Sequence, residues 1–205
     1  MTTSRLSDAA AAAGLQELPR GYHIALSRII VLSVLSYGLY WLYWMYRTWR
    51  QYRDHTGKEA YPVCHALTQF VPIYGLFRLH RHATAYRTLM EERGMTTSIK
   101  MAPIIILAAL GGIIAAINIS PGVAITGLSH PGLALTLDVS AWVGVGFAVG
   151  VMCWIQSNVN RYWAEFESGP TPPARFGRGE KIVTTLGVLL WILNIAGYAI
   201  PPAAS

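Results

Sequence analysis

Polar and apolar residues fall into long alternating blocks along this chain, not into the short periods of a soluble fold. Charge-free or nearly charge-free stretches recur at Ile29–Tyr46, Ala60–Phe77, Met101–Ile119, Asp138–Val159 and Ile182–Ile200. Each is separated from the next by a polar or turn-rich segment. About 20 apolar residues suffice for a helix to cross the hydrocarbon core of a bilayer. The pattern therefore predicts spans over Tyr22–Tyr46, Met101–Ile119, Asp138–Val159 and Ile182–Ile200. Arg28 and Arg47 are expected to anchor the two ends of the first span.

Ala60–Phe77 reads differently, although it too is free of charge. Pro62, His65, Gln69, Pro72 and Gly75 make it a poor lipid-facing span. Backbone groups freed by proline need protein or water as partners at membrane depth. This segment is expected to be re-entrant or interfacial. Leu79–Arg93 follows as an amphipathic surface helix stopped by Gly94. Ser120–Leu137 contains two Pro-Gly pairs and reads as an extracytoplasmic hairpin. Asp138 is placed to cap the helix that follows. Met1–Gly21 is an Ala-rich tail without the basic start and apolar core of a cleaved signal peptide, ahead of a single helical membrane domain over residues 22–205.

The densest stretch is Ser36–Arg53. It holds Tyr37, Tyr40, Trp41, Tyr43, Trp44, Tyr46, Trp49 and Tyr52, with Arg47, Arg50 and Arg53 entering among the later rings. Aliphatic residues, then aromatic rings, then arginine is the order of environments met on leaving a bilayer. The stretch is read as a helix end at the cytoplasmic surface. Tyr37, Tyr40, Trp41, Trp44, Arg47, Trp49 and Arg50 are expected to form a lipid- or partner-facing surface, because so many rings exceed what one interfacial belt needs.

Composition narrows the class. The 205 residues are 53% hydrophobic and only 13% charged, about half the charge of a soluble domain. The net charge of +6 flanks the apolar blocks, which favours anionic lipid headgroups over nucleic acid as the partner. Cys64 and Cys153 both lie in apolar runs and fit no zinc or haem spacing. Two topologies nearly tie on the positions of Lys and Arg. With four spans and Ala60–Phe77 not crossing, Arg47–Lys58, Arg78–Lys100 and Arg161–Lys181 lie inside with 4, 5 and 4 bases. With five spans the N-terminus is inside and Arg47–Lys58 is outside. The proline-containing segment favours four. A faint repeat pairs Arg47-Thr-Trp49 with Arg161-Tyr-Trp163, parallel if there are four spans and inverted if there are five.

Chemistry is sparse. His80 and His82 are two apart and do not share a helix face, and there is no His-Glu-x-x-His or Cys-x-x-Cys. No metal, cofactor or catalytic residue is expected. His65 and Gln69, one helical turn apart, and Asn194 form a candidate intramembrane polar site. Asn158 and Asn194 are also suited to bridging helices. Gly111, Gly112, Ala115 and Ala116, and Gly146-x-x-x-Gly150, offer small-residue faces for close packing.

Tyr37-Gly-Leu-Tyr-Trp-Leu-Tyr-Trp-Met-Tyr-Arg-Thr-Trp49 resembles the glycine–tyrosine–tryptophan motif of small bacterial multi-pass membrane proteins of unknown function. Phe70-Val-Pro-Ile-Tyr-Gly-Leu-Phe-Arg78, Asn160-Arg-Tyr-Trp163 and Leu186-Gly-Val-Leu-Leu-Trp191 are similar to later parts of such proteins. The resemblance implies location and fold, with no activity or site residue to carry over. The expectation is an all-α polytopic protein of a bacterial cytoplasmic membrane, with four transmembrane helices plus one re-entrant or interfacial segment. Its expected role is non-catalytic, through membrane lipids, other membrane subunits or a second copy of itself. The alternative is a small transporter or channel around His65, Gln69 and Asn194.

Overall fold

The computed structural model describes residues 22–118, 131–165 and 176–199, and every regular element among them is helical. In chain order these are α1 (Leu26–Leu35), α2 (Tyr40–Thr56), α3 (Pro62–Leu67), a 3-10 turn (Thr68–Phe70), α4 (Pro72–Glu92), α5 (Met101–Asn118), α6 (Pro131–Ala164) and α7 (Arg178–Ala199). The expected tail over residues 1–21 lies outside the described residues.

Among the described residues, three helices are long and apolar enough to cross a membrane: Met101–Asn118, Leu135–Ala164 within α6, and Arg178–Ala196 within α7. They match three of the four expected spans. Few of their residues are buried within the chain, and Ile106, Ile113, Val139, Ile182, Leu193 and Ile195 are all more than half exposed. An apolar surface of that extent belongs against lipid or protein, not water.

The fourth expected span, Tyr22–Tyr46, is not one helix. α1 stops after ten residues, too few to cross. Its end is a Schellman motif: the Gly38 N–H donates to the Ser33 carbonyl at 2.8 Å and the Tyr37 N–H to that of Val34 at 3.1 Å. Tyr37 takes the left-handed position with φ 54°, and Gly38 follows at φ 84°. A tyrosine there costs about 1 kcal/mol relative to glycine. The Ser36 hydroxyl then accepts the Tyr40 N–H at 2.8 Å and starts α2.

α2 runs back beside α1, as the arginines demonstrate. Arg28 and Arg47 are 19 residues apart, which a straight helix would convert to about 28 Å. Instead both reach the same carboxylate, Glu180 at the start of α7. The stretch is a helical hairpin with its tip at Ser36–Leu39. Gly187 of α7 lets the tip dock, because a β-carbon there would overlap the Ser36 backbone.

Ala60–Phe77 forms the descending arm and tip of a second hairpin. His65 of α3 stacks on Trp49, and Gln69 at the tip meets Trp41. α4 then returns, with His82 against Trp44 and Trp49 and the Tyr86 hydroxyl donating to the Thr48 carbonyl at 2.7 Å. Both tips therefore point the same way, toward the N-terminal end of α2. α4 starts seven residues before the expected amphipathic helix, and Gly94 (φ 68°) ends it as expected.

α5 and α6 pack antiparallel through Gly111 and Gly144, where an added β-carbon on either would come within 3.3 Å of the other's carbonyl oxygen. Gly146 and Gly150, the expected packing pair, face open space within the chain. Asp138 does not cap α6, because the helix begins seven residues earlier at Pro131. The buried core lies where α1, α2, α4 and the last third of α6 meet: Trp44, Tyr40, Tyr86, Val151, Ile155, Tyr162 and Trp163. Arg47-Thr-Trp49 lies midway along α2 and Arg161-Tyr-Trp163 at the end of α6, and the two helices run in the same direction toward one end of the bundle.

Candidate functional site

Glu180 is the most deeply buried charge among the described residues. Its side chain has no exposure, yet it sits two residues into an apolar helix. Arg28 binds it bidentately, Nε to Oε1 at 3.0 Å and Nη2 to Oε2 at 2.5 Å. Arg47 adds Nη1 to Oε1 at 3.3 Å, and the Gly177 N–H donates to Oε2 at 2.8 Å. Phe176 lies under the Arg28 guanidinium, 5.0 Å from its centre. Gly177 and Gly179 keep this approach open, since a β-carbon at Gly179 would enter the Tyr43 ring. A buried ion is tolerated only when its partners replace its hydration, and this carboxylate has three. The clamp ties both arms of the first hairpin to α7.

Next to the clamp lies an aromatic–histidine interior. The Trp44 indole N–H donates to Gln156 of α6 at 2.7 Å, and the Gln156 amide donates to Asn160 at 2.8 Å. Asn160 in turn holds the entering chain by the Ile24 N–H and C=O, at 3.1 and 2.7 Å. Thr48 and His82 face each other at 2.8 Å. His65 lies 4.4 Å from Trp49, ring on ring. Burial, with Arg78 and Arg81 adding to it, pushes the His65 pKa down to about 4, so the stacked ring is neutral at pH 7. At the polar end, His55 Nε2 is 2.7 Å from the Tyr162 hydroxyl. Burial first and Arg93 second hold His55 below the usual histidine range.

The expected docking surface is largely interior. Tyr40, Trp44 and Trp49 are buried, Tyr37, Trp41 and Arg47 are half-buried, and of the seven residues only Arg50 is exposed. The rings are used for cohesion: Tyr37 meets Trp142 and Trp191 edge-on at 5.4 and 5.2 Å, pinning the tip against α6 and α7. The expected polar site is divided. Gln69 bonds the Trp41 indole at 3.3 Å and the His65 carbonyl at 3.4 Å. Asn194 bonds Asp138 at 3.2 Å, 14 residues beyond Glu180 on α7 and so about 21 Å further along. His65, Gln69 and Asn194 do not share one site.

Of the two expected bridging asparagines, Asn194 does join α7 to α6 through Asp138, whereas Asn158 accepts the Ser98 N–H at 3.0 Å and so holds the segment between α4 and α5. Asn118, not among those two, joins α5 to α6 through Ser140 at 3.0 Å. Glu180 and its pairing with Arg28 went unread in the sequence. The signal is a lone glutamate directly after Gly177-Arg178-Gly179 at the mouth of an apolar helix, matched by two arginines that flank another apolar block. Among the described residues, no three His, Cys, Asp or Glu side chains converge as a metal site. No family model, no curated protein and no solved structure matches this chain.

Proposed function

We propose that this chain is a non-catalytic, multi-pass protein of a bacterial cytoplasmic membrane that acts on lipid packing as a one-sided wedge. The observation that carries the reading is the common direction of the two hairpin tips. At the end of the bundle that holds Glu180, all seven described helices are present. At the opposite end, among the described residues, only α5, α6 and α7 remain. From Arg28 to Ser36 is about 12 Å along α1, less than half of the ~30 Å hydrocarbon core. The hairpins then fill one leaflet and stop. The second tip is apolar on the outside: Phe70, Val71 and Ile73 are each more than half exposed. Backbone at that depth is acceptable because the tip's polar groups find protein partners.

Orientation follows from charge. The thirteen described Lys and Arg residues all belong to the hairpins, to the segments joining them to α5, or to the α6 and α7 ends beside Glu180. Under the positive-inside rule that end faces the cytoplasm, with three full crossings and two half-way hairpins in place of four spans and one re-entrant segment. A body wider in one leaflet than the other favours curved membrane, as one-sided amphipathic insertions do.

The test is reconstitution in one orientation into lipid vesicles, with diameters measured by cryo-electron microscopy. The wild type is expected to give smaller vesicles than the Val71→Asp/Ile73→Asp variant, whose second tip is too polar to enter the leaflet. Equal diameters would contradict the wedge. A nitroxide at residue 71 in place of valine reports depth independently: oxygen is expected to reach it better than a water-soluble nickel complex does.

A further inference from the structure

We propose that the cavity at the start of α5 binds the headgroup of an anionic phospholipid, with an acyl chain laid along α5. This rests on the membrane placement argued above but concerns a different surface from the hairpin tips. The cavity is an open cleft of about 630 Å³, within the size range of small-molecule sites. Arg87, Lys100, Thr96 and Thr97 supply its polar lining, and Met95, Ile99, Met101, Ala102 and Pro103 its apolar floor.

Two features point to a lipid. The first is charge at the right level. Arg87 and Lys100 face the cavity at the mouth of a span, where lipid phosphates lie. Glu91 is the one acid in the lining and is bonded to Arg87 at 2.7 Å. That pair is about half exposed, so it contributes little and yields to a phosphate. Arg161 holds the lining segment by donating to the Thr96 carbonyl at 3.2 Å.

The second feature is continuity with a lipid-facing stripe. Ala102 lines the cavity, and Ile106, Leu110, Ile113 and Ile117 follow it at spacings of four and three on one face of α5. These four are 58%, 44%, 58% and 53% exposed. From Ala102 to Ile117 is about 22 Å, longer than the ~15 Å of one leaflet's hydrocarbon. A soluble phosphoester would use the polar lining and leave the stripe bare. A phospholipid uses both, with its glycerol at Ala102.

The experiment is native mass spectrometry of the full chain in detergent, titrated with phosphatidylglycerol or phosphatidylcholine. One phosphatidylglycerol per chain is expected to be retained in preference to phosphatidylcholine. The Arg87→Gln/Lys100→Gln variant is expected to lose at least roughly tenfold in that preference, two interfacial cations being removed. Ala102→Trp, which blocks the passage from cavity to stripe, is expected to weaken lipid retention as well. Unchanged preference in Arg87→Gln/Lys100→Gln would overturn the proposal. So would displacement of the lipid by millimolar glycerol 3-phosphate, which would mark a soluble phosphoester site. The nitroxide depth at residue 71, read on these same variants, separates the two ideas. An unchanged depth with lost lipid preference supports the cavity, whereas a shallow label in the wild type counts against the hairpin reading alone.

Discussion

The hairpins and the spans hold together by different physics. In the region of α1, α2 and α4, cohesion is internal: a bidentate arginine clamp, indole-to-amide hydrogen bonds, ring-on-ring contacts and buried tyrosines. In α5, α6 and α7, most side chains face outward and the helices meet through glycine backbones and a few asparagine bridges. Directional contacts fix the first region whatever surrounds it. The second depends on its surroundings, since lipid and leucine are equally apolar and burial drives little association between spans. The difference teaches why this chain places aromatic and ionic groups where it turns and aliphatic groups where it crosses.

The largest break in that comparison comes at the seam between the two regions. Gly187→Leu puts a side chain where the Ser36 backbone sits. The first hairpin cannot dock on α7 without moving, and the variant is expected to lose its folded near-ultraviolet dichroism in mild detergent. Glu180→Ala follows. It leaves Arg28 and Arg47 facing one another without their carboxylate, and about 3–5 kcal/mol should be lost in a reversible unfolding titration. Gln156→Leu strands the buried Trp44 N–H and should cost about 1–3 kcal/mol.

Within the spans the contrast is positional. Gly144→Leu is expected to force α5 and α6 apart at a cost of about 1–3 kcal/mol, as overpacked sites do. Gly146→Leu, two residues on, enters open space and should leave stability nearly unchanged. A melt that ranks these two the other way would show that α5 and α6 meet on a different face.

The smallest effect is that of pH. His65 has a folded pKa of about 4 against an ordinary value near 6.5. Between those values the unfolded chain binds the proton and the folded chain does not. Stability therefore falls as pH drops from about 6.5 toward 4 and is flat above 7. His55, also shifted down, acts in the same direction. A His65→Phe variant should show a shallower loss of melting temperature on acidification.

The three aliphatic spans were legible because length and hydropathy are sufficient signals for them. α5 is described over Met101–Asn118, within the expected Met101–Ile119. The first hairpin was hidden because the chain stays uncharged through its turn. Ser36-Tyr37-Gly38 is the local mark, and the first left-handed residue after the helix is Tyr37, with the glycine that usually fills that position coming one residue later. Ala60–Phe77 was marked by its prolines, but where its arms lie depends on Trp41 and Trp49, contacts that no local pattern encodes. An interfacial belt and an aromatic core use the same residues, so the rings of Ser36–Arg53 could not tell one from the other. Arg28 and Glu180 are 152 residues apart, beyond any periodicity argument.

The account rests on the chain turning back at Ser36–Leu39, which puts both sides of the first hairpin on one side of the membrane. Single cysteines at Ala25 and Lys58, both exposed, bracket the hairpin in a chain freed of Cys64 and Cys153. They are to be labelled with a membrane-impermeant maleimide in sealed vesicles of each orientation. The account predicts that both sites react from the same side, the cytoplasmic one. Labelling of the two from opposite sides would mean that Ile29–Tyr46 crosses the membrane, and the hairpin would be wrong.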